Sequence, residues 1–305
     1  MEHISVLLQE TLDYLVPQGV SVARAIDGTL GAGGHTKALL QAGVDEVLAF
    51  DLDQQAIGIA QETLGKLTNR VQIVHDSYLN MAYHARQIAW QSVDAILLDL
   101  GVSSMQFDTG ERGFSFRYDA PLDMRFNPNS NDMTAGDIIN TWSDEALADI
   151  FYNYGEEKHS RKLARDIVSS RPFESTQHLA EFVADHMPNR HKLNIHPATR
   201  IFQALRIAVN DELKTVENIL PIAIDMLKSG GRLAVISFHS LEDRIVKQAF
   251  KEASTEIIAP PGMASIEEKE AIVKLLTRKP IMPSEEEIKQ NPRSRSSKLR
   301  VVEKI

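Results

Sequence analysis

A doubly wound α/β sheet interrupted by a helical insertion is the fold this 305-residue sequence predicts. Three observations point there. Over the first hundred residues, short runs that are apolar along their whole length alternate with helical patterns, as strands of a parallel sheet do when both faces are covered. The first of these runs opens directly into a glycine-rich loop, Gly31-Ala32-Gly33-Gly34. A stretch of roughly a hundred residues without a strand signal then separates the fourth apolar run from the fifth, more than an ordinary connection needs.

Val22 to Ile26 reads as the first strand, and a helix from about His35 to Gln41 follows its glycine loop. Glu46 to Phe50 is the second strand, ending in Asp51-Leu52-Asp53 before a helix through Ala56, Ile57, Ala60 and Leu64. Val71 to Val74 and Val93 to Leu98 complete the first group, the latter ending at Asp99. From Met105 to Pro128 there is no period, only Gly, Arg, Asp and Phe, which predicts a long ordered loop. Ala135 to Asn210 shows helical patterns alone. The α/β rhythm resumes with a helix through Val216, Ile219 and Leu227, broken by Gly230-Gly231, then a strand from Arg232 to Phe238 and a helix near Leu241. Leu299 to Val302 closes the chain as a late edge strand. The expected organisation is a discontinuous core, residues 1–106 and 214–305, and an insertion, residues 107–213.

Composition sets limits on the chemistry. At 43% hydrophobic and 25% charged residues the chain reads as an ordinary soluble protein. It contains no cysteine, which excludes disulfides, thiolate zinc sites and every cysteine nucleophile. No apolar run reaches membrane-spanning length and the N-terminus lacks a signal-peptide pattern, so a cytoplasmic protein without membrane partners is expected. The net charge of −9 does not advertise a nucleic-acid binder, but it is uneven. Residues 157–206 hold nine Lys/Arg against five Asp/Glu, residues 289–304 six against one, and the remainder carries −18. Two basic segments are thus hidden in an acidic total.

The loop from Gly28 to Gly34 sits where a doubly wound sheet places its ligand, at the carboxyl end of the first strand. Its spacing is not the dinucleotide fingerprint. Asp51 is placed to accept hydrogen bonds from the hydroxyls of a ribose, Tyr78 to lie by an adenine, and Asp99 to stand beside the reacting centre. Taken singly, each has a plainer reading: a turn, two helix-capping carboxylates and a half-buried aromatic. Their order along the sheet is that of a class I S-adenosylmethionine-dependent methyltransferase.

Longer motifs carry a resemblance. Asp27-Gly-Thr-Leu-Gly-Ala-Gly-Gly-His35, Leu98-Asp-Leu-Gly-Val-Ser-Ser104, Glu111-Arg-Gly-Phe-Ser-Phe116, Leu122-Asp-Met-Arg125 and His196-Pro-Ala-Thr-Arg200 occur in order. Phe202 to Leu213, Ser237-Phe-His-Ser-Leu-Glu-Asp-Arg244 and Arg293 to Arg300 follow. End to end, the sequence resembles the bacterial RsmH (MraW) methyltransferase family, which modifies the exocyclic N4 amine of a cytidine in the decoding centre of 16S ribosomal RNA. The resemblance implies S-adenosylmethionine as cofactor, with contacts mapping onto Gly33, Gly34, His35, Asp51, Tyr78, Asp99 and Gln106. It implies no metal, and it allows a homodimer. It makes the insertion an RNA-recognition domain for the small ribosomal subunit, with its helix through Arg200, Arg206 and Asn210 facing the cleft.

A cytosine amine is a poor nucleophile because its lone pair is conjugated into the ring, so positioning and an acceptor for the amine must supply the rate. Asp99 is the catalytic candidate. Cytosine C5 methylation, which usually passes through a cysteine adduct, does not suit this chain. Phe114, Phe116 and Arg117 are candidates to stack on or hold an extruded base, or the two rings to pin their own loop. His239 invites a role as a base, although Ser240 to Asp243 fits a capping box. Two rivals stand beside an RNA methyltransferase: a ribosome-assembly factor retaining a donor pocket, and a methyltransferase acting on another nucleic acid.

Overall fold

The structure is a computed structural model that describes residues 4–101, 110–128, 133–187, 196–256 and 269–305. The chain divides into two compact units, Met1–Gly101 with Leu213–Ile305, and Val102–Glu212.

The first unit is built on a seven-stranded sheet: β1 (Arg24–Asp27), β2 (Glu46–Asp51), β3 (Val71–His75), β4 (Val93–Asp99), β5 (Leu227–Ser237), β6 (Val273–Leu275) and β7 (Lys298–Lys304). Their spatial order is β3-β2-β1-β4-β5-β7-β6. The first five strands pair in parallel, and β7 runs antiparallel to both neighbours. This is the class I methyltransferase sheet. The chain winds outward from β1 to β3 and then returns to place β4 on the other side of β1. That reversal opens a crevice at the carboxyl ends of β1 and β4, where open α/β sheets bind ligands.

Strand side chains alternate between two cores. Ile26, Leu48, Phe50, Ile96 and Leu98 face one cluster, where α4 (Met81–Gln87), α10 (Glu212–Met226) and α11 (Ser240–Ala253) pack. Ala25, Val47, Ala49, Ala95 and Leu97 face the other, filled by α1 (Leu8–Leu15), α2 (Gly34–Gln41) and α3 (Gln54–Leu64). Apolar residues at every position of a strand are what two covered faces require.

The sheet departs from the sequence reading in three places. β5 starts five residues early, because Val93 pairs with Leu227 before the register resumes at Ala95 and Arg232; Gly230 takes φ 77 inside the irregularity. β7 is an interior strand, flanked by β5 and the three-residue β6, rather than an edge. A three-residue strand is too short to show a period. α1 also went unread, since residues 8–15 lie outside the α/β rhythm.

The second unit gathers α5 (Ala135–Thr141), α6 (Asp144–Asn153), α7 (Ser160–Ser169), α8 (Thr176–His186) and α9 (Ala198–Asn210) around its own core, which includes Ile138, Phe151, Leu163, Leu179 and Leu205. Its described residues contain no strand. Ser143 and Ser175 cap α6 and α8, and Thr134 with Asp137 forms a capping box on α5. The loop through residues 110–128 is pinned by aromatic rings: Phe114 stacks on Phe126 at 5.7 Å, and Phe116 meets His196 at 4.8 Å and Phe202 at 5.0 Å. Phe114 is buried at 5% exposure and Phe116 is half-buried, and both rings pack within the second unit. A short helix, α12 (Glu285–Gln290), precedes β7 in the first unit.

Candidate active site

The ends of β1, β2 and β4 bring three carboxylates into one crevice of the first unit. Asp27 is fully buried; its Oδ2 accepts from the Thr36 hydroxyl at 2.7 Å and its Oδ1 from the Thr29 amide at 3.0 Å. The Thr29 hydroxyl oxygen accepts from the Asp99 amide at 2.7 Å. A chain of hydrogen bonds thus locks the end of β4 to the end of β1. Sequence reasoning passed over Asp27, Thr29 and Thr36, although Asp27 and Thr29 stand within the glycine motif.

Asp51 does not cap a helix. Its Oδ2 accepts from the Gly31 amide at 2.8 Å and its Oδ1 from the Asp53 amide at 2.8 Å, while Asp53 is the residue that caps α3. The Asp51 carboxylate therefore shapes the glycine loop and keeps lone pairs for a ligand. Gly33 takes φ 80, a left-handed conformation that glycine adopts without strain. At Gly34 a Cβ would meet the Ser5 hydroxyl oxygen at 2.2 Å, so the N-terminal segment lies against the loop as closely as a glycine permits.

His35 is buried, with Nε2 3.0 Å from the Val6 carbonyl and Nδ1 3.5 Å from Asp99 Oδ2. A carbonyl only accepts, so Nε2 carries the ring proton. Nδ1 and Oδ2 then approach favourably when one proton lies between them. Asp99 Oδ1 is buried and has no hydrogen-bond partner among the described residues. Burial, followed by repulsion from Asp27 and Glu242, holds the Asp99 carboxyl well above the usual carboxylate range. Tyr78 opens a 3-10 turn after β3, packed against the first core. Gln106, the remaining expected cofactor contact, lies outside the described residues. Gly33, Gly34, His35, Asp51, Tyr78 and Asp99 all belong to the first unit.

His239, the N-cap of α11, accepts from the Glu242 amide, and Glu242 Oε2 accepts from the Phe238 amide at 2.8 Å. The capping box is therefore His239 with Glu242, one residue earlier than the motif suggested, because the chain turns into the helix before Ser240.

In the second unit, Arg206 grips Glu212 with two bonds of 2.8 Å, Nε to Oε1 and Nη2 to Oε2. Asn210 accepts from the Phe126 amide at 2.8 Å and donates to the Met124 carbonyl at 2.8 Å, tying α9 to the 110–128 loop. Arg200 is 43% exposed and lies 3.4 Å from buried Glu157, and Arg117 is exposed.

The decisive comparison is with protein families: the model of the MraW methylase family matches residues 1–305. The chain belongs to that family. It is 46% identical to "Ribosomal RNA small subunit methyltransferase H" of Magnetococcus marinus, over 100% of this chain and 99% of the relative. It is 46% identical to the protein of the same name from Trichodesmium erythraeum, over the whole of both. Among solved structures, a putative methyltransferase from Streptococcus mutans in complex with SAH covers 99% of this chain and 100% of its own, at 14% identity and a TM-score of 0.45.

S-adenosylmethionine is the methyl donor of the MraW family, and the crevice suits it. A sulfonium and an ammonium are cations, and the end of β4 presents Asp99, one buried oxygen of which is unpartnered among the described residues. Asp51 has its carboxyl pushed up to about 6, chiefly by burial. A carboxylate that accepts from ribose hydroxyls is favoured in its ionised form, so the role expected of Asp51 predicts an affinity that falls as pH drops through about 6. Calorimetry with S-adenosylhomocysteine is expected to show a roughly tenfold loss between pH 7.5 and 5, and Asp51→Asn to flatten that step. In the ligand-free chain the same raised value works in the opposite sense, removing stability as pH rises from 3.8 through about 6.

Proposed function

We propose that the chain transfers a methyl group to the exocyclic N4 amine of a cytidine in the decoding centre of 16S ribosomal RNA. The observation that carries the reading is Asp99 Oδ1, a buried acceptor without a partner among the described residues, at the strand end where the sheet order reverses. The RNA itself comes from the relatives, whose names specify the small ribosomal subunit. S-adenosylmethionine, when bound, supplies an electrophilic methyl on sulfur. Asp99 accepts from the target amine and turns its lone pair out of conjugation with the ring. The Thr29 and Asp27 bonds hold Asp99 still while it does so, and His35 keeps its Oδ2 oriented. The nitrogen–methyl bond would form as the sulfur–methyl bond breaks, and the amine proton, acidic only after attack, would then leave to solvent, so no general base is required.

Gly33, Gly34, His35, Asp51, Tyr78, Asp99 and Gln106 are assigned to the donor. The second unit is assigned to RNA, with the exposed guanidinium groups of Arg117 and Arg200 offered to phosphate. Arg206 and Asn210 serve that surface by holding α9 and its loop in place, since their polar groups are engaged internally.

The test is incubation of the protein with radiolabelled S-adenosylmethionine and undermodified small subunits, followed by nucleoside mass mapping. Label in N4-methylcytidine at one position is the expected result. Label at ring carbon, in another base or only in isolated DNA overturns the reading.

A further inference from the structure

The outward side of α11 carries Arg244, Lys247, Gln248 and Lys251 at spacings of three and four, which stacks them along one face of the helix. All four are exposed, while Leu241, Val246, Phe250 and Ala253 are buried on the opposite face. Together with Thr255 and Lys269 they line a groove of about 460 Å³ in the first unit. Lys269 Nζ donates to the Glu252 carbonyl at 2.7 Å, adding a cation where α11 ends.

Charge counting misses this face. The helix holds three basic residues, Arg244, Lys247 and Lys251, against three acidic ones, Glu242, Asp243 and Glu252. Two of those acids are withdrawn from the surface. Glu242 is buried at 1% exposure in the capping box, and Asp243 is held by Arg300 at 2.7 Å and Lys298 at 3.4 Å. Of the three, Glu252 alone lines the groove among the described residues, and its Oε1 accepts from Gln248 at 3.3 Å. Lys247 and Lys251 have no ion pair among the described residues.

We propose that this groove binds the sugar-phosphate backbone of the RNA substrate, giving the methyltransferase unit a phosphate contact of its own. The proposal rests on the RNA reading above. Phosphate is the chemistry that a row of unpaired ammonium groups on one helix face recognises. An anionic membrane is disfavoured, because every apolar residue from Leu241 to Ala253 except the half-buried Ile245 and Ala249 is buried in the core and none is left to insert.

The test compares the wild-type protein with Lys247→Ala/Lys251→Ala, both side chains being solvent-exposed and remote from α11's packed face. Filter binding of radiolabelled 16S ribosomal RNA across a potassium chloride series reads affinity and salt slope. Calorimetry with S-adenosylhomocysteine reads the donor pocket. The expected result is roughly tenfold weaker RNA binding near 0.1 M salt, with a log–log slope shallower by about 1.4 to 1.8, on the basis of ~0.7 to ~0.9 per lost phosphate contact. Donor affinity stays unchanged. Unaltered RNA affinity and slope in the variant, with wild-type binding and methylation intact, overturn the groove alone. A wild-type protein that neither binds nor methylates the RNA overturns the RNA reading and the groove with it. Equal loss of binding to anionic phosphatidylserine vesicles, with RNA binding unchanged, assigns the face to a membrane and overturns the proposal.

Discussion

Replacing Asp99 with alanine is expected to lower methyl transfer by about a hundred- to a thousand-fold while the protein stays folded. On the proposed role of Asp99 the loss falls on the chemical step: Oδ1 is buried and has no partner among the described residues, and an alanine methyl cannot accept a hydrogen bond in its place. Removing this carboxylate also relieves a crowded site. Asp99 is repelled by Asp27 and Glu242 and is costly to ionise where it stands, so thermal stability should hold or rise slightly. Single-turnover methylation alongside binding of S-adenosylhomocysteine separates the two effects. A rate within a few-fold of wild type would remove Asp99 from the chemistry. Asp99→Asn refines the result: the amide keeps the shape but presents one acceptor and one donor, and it should recover only part of the rate. In cells, normal subunit profiles with Asp99→Ala and no methylated base would favour an assembly role instead.

The second large effect is on stability. Arg206→Ala should destabilise the helical unit by about 3–5 kcal/mol, since it strips both hydrogen bonds from Glu212, a carboxylate only 6% exposed. Leaving a charge buried and alone costs more than the pair contributed. Arg206→Ala with Glu212→Ala should therefore recover much of the loss, and denaturant titration of the two single variants and the double variant measures it. A guanidinium whose role was to touch RNA would behave differently. Its removal would leave the melting curve in place and weaken RNA binding alone, which is the outcome expected of Arg117→Ala.

The contrast between Arg206 and Arg117 marks where sequence reading stops. Both are arginines in segments that a count of charges calls basic or loop-like. Arg206 differs because a carboxylate six residues later turns back to meet it, and a helical period does not report that. Phe114 shows the same limit: an aromatic residue in a loop suits a stacked base or a pin, and only the structure shows that its ring is buried against Phe126. The face of α11 runs in the reverse direction. Its charges cancel on paper and do not cancel on the surface, because burial and ion pairing remove two of the three acids.

The strands were legible for a physical reason. A parallel strand covered on both sides must be apolar along its covered length, so Val47–Phe50 and Ala95–Leu98 stand out without knowledge of their partners. Carboxylates that end such strands, Asp51 and Asp99, are legible with them, because the carboxyl ends of β1 and β4 are where a doubly wound sheet opens. β6 is not, since three residues carry no period, and without it the sequence reading puts at the edge β7, which is interior in the structure.

By itself the sequence determined the class of sheet, the carboxylates at its open end, and a chemistry that uses no thiol. Tertiary structure decided which polar groups remain for a ligand. Asp53 caps a helix while Asp51 holds the glycine loop; Asp27 spends its oxygens on Thr29 and Thr36; Asp99 keeps one oxygen without a partner among the described residues. Hydrogen bonds saturate locally but their partners lie 20 to 70 residues apart in the chain, as Asp51 does from Gly31 and Asp99 from Thr29. The fold alone brings those partners within reach of one another.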